Sequence, residues 1–130
     1  MDIMEEAVWK CLKRAQLIWP EAHLDYVGFD LTGSTSGMEH NKHDGSAWIR
    51  LNKAYCMSNP QEMLERTIPH EVAHIVNWQV NRLSGHGREW REIFEILTGD
   101  KATRCHEYGT QKEAMKRVES FAERLLRELE

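Results

Sequence analysis

Apolar residues recur every three or four positions in several stretches of the chain, and this spacing predicts helices. The first stretch runs from Ile3 to Trp19, and Pro20 is expected to stop it because proline has no backbone N–H group. The others are Gln61 to about Asn81, about Arg88 to Leu97, and about Gln111 to Glu130. Helices are therefore the main elements expected.

Between the first two predicted helices the pattern changes to an alternation of apolar and polar residues, which is typical of strands. Strands are predicted from Leu24 to Leu31 and from Ser46 to Leu51. The segment Thr32 to Gly45 is rich in Gly, Ser, Thr and Asn, and predicts a loop or a wide hairpin connection. The expected fold class is α+β, with a small antiparallel sheet.

The second predicted helix contains a proline in its interior. Its start is marked by Ser58-Asn59-Pro60, a capping residue followed by a proline in the first turn. Pro69 lies further along, where its ring removes a hydrogen-bond donor and crowds the preceding turn. We therefore expect the helix to be kinked or divided at Pro69.

Length and composition suit one domain over residues 1–130. The chain is 41% hydrophobic and 29% charged, and its net charge of −4 does not suggest a strong, non-specific nucleic-acid binder. Its apolar runs are too short for a membrane-spanning helix, so no membrane partner is expected. The acidic residues Asp2, Glu5 and Glu6 are unlike a secretory signal, which favours a cytoplasmic location.

The three cysteines are far apart in the sequence and odd in number. Cys11, Cys56 and Cys105 form no Cys-x-x-Cys pair, so neither a zinc ribbon nor a disulfide framework is expected. Isolated cysteines are usually small buried hydrophobes, and we expect that role here.

The strongest chemical motif is His70-Glu71-Val72-Ala73-His74, inside the second predicted helix. Residues four apart share a helix face, so both imidazoles can point at one metal ion. Glu71 follows the first of them, where a carboxylate can act on a metal-activated water without binding the metal. The motif predicts one Zn²⁺ ion, with Glu71 as catalytic base.

A catalytic zinc site has three protein ligands, so a third must follow the motif. His86 is the leading candidate, because Gly85 and Gly87 beside it allow a turn back over the ion. Glu92 and Glu95 on the next helix are its competitors.

Longer stretches around these residues resemble the SprT family, which includes the Spartan-type proteases. The first is Ile68 to Trp90, with Pro69-His70-Glu71-Val72-Ala73-His74 and then His86-Gly87-Arg88-Glu89-Trp90. Upstream, Gly45 to Asn52 resembles the strand before the metal helix, and downstream Ala102 to Tyr108 resembles the segment that closes the protease core. The resemblance covers roughly residues 3–108, followed by the predicted C-terminal helix over 111–130.

This resemblance implies a small zincin-like metalloprotease fold, with the three histidines as zinc ligands and Glu71 as catalytic residue. It also implies a substrate class, proteins bound or crosslinked to DNA. Many family members continue into a cysteine-rich zinc ribbon that contributes to DNA contact. This chain has no cysteine after Cys105. Together with the acidic balance, that weakens the expectation of DNA as a partner.

Other residues are candidates for transition-state or substrate contacts. A tetrahedral intermediate needs a donor to its oxyanion, which His106, Tyr108 or Arg104 would supply if their segment folds over the site. Trp48 is a candidate for lining a substrate groove, with packing in the core as the favoured alternative. Trp90 is interpreted as a core anchor.

The sequence thus predicts a zinc-dependent endopeptidase acting on a protein or peptide substrate. Two different functions remain open: a non-enzymatic binding module stabilised by zinc, and a zinc hydrolase of another bond.

Overall fold

The computed structural model of the protein describes residues 2–99. The elements follow one another as α1 (Asp2–Gln16), β1 (Tyr26–Leu31), β2 (Gly37–Asn41), β3 (Ala47–Asn52), α2 (Lys53–Ser58), α3 (Pro60–Glu62), a π-helical turn (Met63–Thr67), α4 (Ile68–Asn81) and α5 (Arg88–Thr98). The predicted helix over 111–130 and the candidates Arg104, His106 and Tyr108 lie outside the described residues. Over the described part of the chain, no helix is long and apolar enough to span a membrane.

Helix α4 is the centre of the fold. It packs against α1, α5 and the inner face of the sheet, and its residues from Ile68 to Asn77 are buried, apart from the half-buried His70. A helix surrounded on most sides has to be apolar on most sides. The core is completed by residues of the other elements, which are Met4, Val8, Cys11, Leu12 and Ala15 of α1, Ala47, Ile49 and Leu51 of β3, and Trp90, Ile93, Phe94 and Leu97 of α5. Cys11 and Cys56 are both buried, as predicted.

The sheet has three strands in the order β1-β3-β2 and is mixed. β2 pairs with β3 in antiparallel fashion, but β1 pairs with β3 in parallel. The α+β class is confirmed, whereas an all-antiparallel sheet was the wrong prediction. The reason is β2, which forms inside the segment 32–45 that was predicted as a loop or a wide hairpin connection. Its sequence, GMEHN, has neither the β-branched residues nor the apolar alternation by which strands are recognised.

Asn52 fixes the crossing that makes β1 and β3 parallel. The chain leaves β1, passes the end of β3 and returns on its other side as β2. The buried Asn52 amide donates to the carbonyl oxygens of Gly33 and Thr35, each at 3.0 Å. Its Oδ1 accepts from the N–H of Tyr55 at 3.3 Å and caps α2. One side chain thus joins the crossing segment to the start of the next helix.

A turn of π-helix precedes α4. The N–H of Ile68 donates to the carbonyl of Met63, five residues back, and Pro69 follows in the first turn of α4. Proline cannot donate to the turn before it, and a wider π-helical turn accommodates that loss. The predicted kink at Pro69 stays a prediction; the change from π-helical to α-helical hydrogen bonding lies directly before it.

We expect Asn52→Ala to destabilise the protein by roughly 2–3 kcal/mol, since it removes two hydrogen bonds to the crossing segment and one helix cap. Urea unfolding followed by circular dichroism measures the change. The matched control is Asn59→Ala: Asn59 is exposed and precedes α3 without a side-chain capping bond. Equal stability changes in the two variants would contradict the role of Asn52.

Candidate metal centre

Three histidine side chains converge beside α4. His70 and His74 lie one turn apart on that helix, and His86 reaches them from the loop between α4 and α5. Their Nε2 atoms form a nearly equilateral triangle: 3.1 Å from His70 to His74, 3.0 Å from His74 to His86 and 3.1 Å from His86 to His70. The predicted third ligand is thus within reach of the two helix histidines.

The glutamates that compete with His86 for the third position lie on α5. Glu92 is exposed and forms a 3.9 Å ion pair with Arg88. Within residues 2–99, the group of side chains placed to hold a metal ion consists of the three histidines and includes neither Glu92 nor Glu95. The geometry therefore favours His86.

The loop brings His86 back through two unusual backbone conformations. Helix α4 ends at Asn81 and is followed by its C-cap residue Arg82, which has a left-handed conformation with φ of 57°. Gly85 also has a positive φ, of 86°, which glycine adopts without steric cost. Residues 81–88 are all exposed. The third histidine is thus held by a surface loop, whereas the other two are fixed by the central helix.

Three nitrogen atoms at this spacing suit a single metal ion. A neutral imidazole nitrogen carries either a hydrogen or a lone pair, so three of them cannot all satisfy one another. Two nitrogen ligands of one tetrahedral zinc, each at ~2.0–2.1 Å, lie about 3.3 Å apart, close to the observed spacing. Burial and the neighbouring imidazoles lower the pKa of His70 to about 4. Burial likewise lowers the pKa of His74, so both are in the neutral, ligand form at pH 7.

Glu71 is buried next to the histidines, with 6% of its surface exposed. Burial raises its pKa to about 9, and the carboxyl group of Glu39, which hydrogen-bonds with it, adds to the shift. Its Oε2 atom has no hydrogen-bond partner among the described residues. A buried carboxyl group without full hydrogen bonding is costly, and such groups are concentrated at functional sites.

Glu39 is a site residue that the sequence analysis missed. It lies on β2 opposite Ile49, which is fully buried, so its side chain is on the sheet face that meets α4. Gly37, two residues earlier on the same face, lets β2 approach α4. A Cβ atom there would lie 2.8 Å from Cγ2 of Thr67 and 3.2 Å from Cγ of Glu71. The sequence signal that could have indicated Glu39 is the pattern Gly37-x-Glu39 before the strand β3, and this pattern is a weak one.

Trp90 is buried, as expected of a core anchor, but it also contacts the site. Its ring centroid lies 4.8 Å from that of His70, 5.3 Å from that of His74 and 4.7 Å from that of His86. One aromatic side chain of α5 thus contacts all three candidate ligands.

Trp48 lies apart from the three histidines. It alternates with Ile49 along β3 and so is on the sheet face that points away from α4. There its ring stacks between those of Tyr26 and His40, with centroids 5.6 Å and 4.7 Å away. Its ring contacts are therefore on the outer face of the sheet.

The SprT-like family model matches residues 9–108. The chain belongs to the SprT-like family. This confirms the resemblance seen in the sequence, and the matched range includes the sheet, the three histidines and Glu71.

Curated relatives agree with this membership. The chain is 39% identical over 109 residues to Protein SprT of Klebsiella pneumoniae, covering 83% of this chain and 62% of that protein. It is 34% identical over 100 residues to Protein SprT of Vibrio parahaemolyticus, covering 75% and 59% respectively. The chain therefore spans about three fifths of the length of these relatives. No solved structure matches it significantly.

The raised pKa of Glu71 makes the stability of the metal-free protein depend on pH. A carboxyl group whose pKa is raised from 4.5 to about 9 on folding favours the folded state at low pH, and this stabilisation is lost as pH rises between the two values. In the presence of a chelator we expect Glu71→Gln to exceed the wild type in melting temperature, by a margin that grows from pH 5 to pH 9. Thermal unfolding at several pH values measures it. The control is Glu62→Gln, at an exposed position of α3. A difference in melting temperature between Glu71→Gln and the wild type that does not change with pH would contradict the raised pKa of Glu71.

Proposed function

We propose that this chain is a zinc-dependent endopeptidase of the SprT type, in which His70, His74 and His86 hold one zinc ion and Glu71 is the catalytic base. The observation that carries the proposal is the convergence of three Nε2 atoms, 3.0–3.1 Å apart, beside a buried glutamate. Family membership supports it.

The neighbouring residues suit hydrolysis. The three imidazoles would hold the zinc ion, which would supply Lewis acidity and a nucleophilic water near neutral pH. Glu71 accepts the proton of the attacking water and delivers it to the leaving amine. With a dication held beside it, Glu71 would lose its proton more readily than burial alone allows, and would then be in the carboxylate form that a base requires.

The position of β2 favours an extended polypeptide as substrate. β2 is an edge strand in the described sheet, and Glu39 on it hydrogen-bonds with Glu71. The unpaired backbone groups of an edge strand bind an extended peptide by adding a strand to the sheet. A peptide bound along β2 would pass the candidate metal centre, which supports hydrolysis of a peptide bond over another bond.

The number of ligands favours an enzyme over a zinc-stabilised binding module. In the part of the chain that the structure describes, the metal-ligand group consists of three side chains. Structural zinc sites usually have four protein ligands, whereas catalytic sites have three and an open position.

Three finer statements belong to the same proposal. The fold is zincin-like, with a metal helix kinked near Pro69. The substrates include proteins bound or crosslinked to DNA, which rests on the family resemblance. The protein acts inside the cell, which rests on the sequence and on its bacterial relatives.

We expect the zinc-loaded wild type to cleave an unfolded protein such as casein, and Glu71→Gln to reduce kcat by roughly 10²–10⁴-fold, the range typical of a lost general base. Zinc content is measured in both and should be one ion per chain, because Glu71 is not a ligand. Glu62→Gln should retain wild-type activity.

The outcomes separate the three functions. Full activity of the Glu71→Gln variant would contradict the role of Glu71 as the catalytic base. Zinc binding without hydrolysis of any substrate would favour the binding module. Hydrolysis of a small ester without cleavage of any protein would favour a hydrolase of another bond. A DNA-bound protein, tested with and without its DNA, decides whether DNA-bound proteins are preferred.

A further inference from the structure

Trp90 lies close to all three candidate ligands without being a ligand itself. Its ring is stacked with that of His74, with an angle of 29° between the planes, and is edge-on to His70 and His86, at 64° and 86°. Only 6% of its surface is exposed. Because it is nearly equidistant from the three imidazole rings, it lies near the axis about which they are arranged.

The indole ring is itself held from two further sides. Phe94, one turn along α5, stacks against it with centroids 5.2 Å apart and 22° between the planes. The Nε1–H of Trp90 donates to the backbone carbonyl of His70 at 3.3 Å. The first contact joins Trp90 to the core of α5, and the second joins it to α4. The indole therefore has little freedom to move, which a supporting residue requires.

His86 has the greatest need of such support. His70 and His74 are fixed by α4, but His86 is exposed, between two glycines, in a loop whose residues 81–88 are all exposed. Its ring contacts are with His70, His74 and Trp90. Two of these three are themselves candidate ligands of the same ion. Trp90 is the contact that attracts the ring without competing for the ion.

We propose that Trp90 is a positioning residue that holds His86 in its ligand position before metal binds. The inference rests on the proposed function only in taking the three histidines as metal ligands. Without Trp90 the ion has to immobilise the His86 loop on binding, and the metal affinity falls by the cost of that ordering. Residues that orient metal ligands typically change metal affinity by roughly 10–100-fold when removed.

Trp90→Leu removes the ring and Trp90→Phe retains one. Zinc affinity is measured by competition with a chromogenic chelator, and ligand geometry by the visible absorption spectrum of the Co²⁺-loaded protein. We expect Trp90→Leu to weaken zinc binding roughly 10–100-fold and to alter the cobalt spectrum, and Trp90→Phe to recover most of both.

The matched control is Trp78→Leu. Trp78 is on α4, like His70 and His74, but its ring contacts other residues. Its centroid lies 5.9 Å from that of His43 and 5.8 Å from Cζ of Arg82. This variant should retain wild-type zinc affinity and cobalt spectrum. Circular dichroism checks that each variant folds. If Trp90→Leu does not fold, Trp90→Met, which fills more of the space, replaces it under the same criteria.

A double-mutant cycle with His86→Ala tests whether Trp90 acts through His86. We expect Trp90→Leu to weaken zinc binding much less in the His86→Ala background than in the wild type. An equal loss in both backgrounds would overturn the proposal, as would a Trp90→Leu protein with the zinc affinity and spectrum of Trp78→Leu.

These measurements use no substrate, so they are independent of peptidase activity. A protein whose zinc affinity depends on Trp90 but which cleaves nothing contradicts the proposed function and supports this inference. A protein that cleaves peptides but whose zinc affinity does not depend on Trp90 supports the proposed function and contradicts this inference.

Discussion

The edge strand β2 lies so close to the start of α4 at Gly37 that a single added carbon would be 2.8 Å from the side chain of Thr67, the residue directly before this helix. The geometry of the candidate site depends on this contact. It puts Glu39 against Glu71, and it buries Glu71 beneath the sheet. A side chain at position 37 would clash with Thr67 and crowd Glu71, so these side chains or the strand would have to shift.

The site also shows where the fold accepts unfavourable interactions. The carboxyl group of Glu71 is buried and incompletely hydrogen-bonded, which is costly, and the three imidazole nitrogens lie closer together than neutral imidazoles can satisfy among themselves. The apolar environment that makes them costly is the packing of α4 by α1, α5 and the sheet. The same packing keeps His70 and His74 neutral, the form in which imidazole binds a metal. The stability of the core thus supports a local arrangement that would not be stable by itself.

The sequence predicted the elements whose signal is local. The helix periodicity located α1, α5 and the helical run from α3 to α4 within a few residues, and the spacing of His70 and His74 placed both on one face. What it could not predict depends on contacts between distant segments. β2 has no strand-like pattern and exists because it pairs with β3 along one edge and packs against α4 with one face. The parallel pairing of β1 follows from β2. Glu39 and the contacts of Trp90 with the ligands are likewise products of tertiary packing, which periodicity does not report.

The three histidines differ in how their positions are encoded. The two on α4 are bound to the helical repeat, and inserting one residue between them would rotate one imidazole by about 100° around the helix. His86 lies in an exposed loop, and doubling the length of a flexible loop costs only about 0.6 kcal/mol. The interval between His74 and His86 is therefore free to vary in length during evolution, provided that the loop still returns to Trp90. A search for related chains by fixed residue spacing would miss those in which this interval has changed.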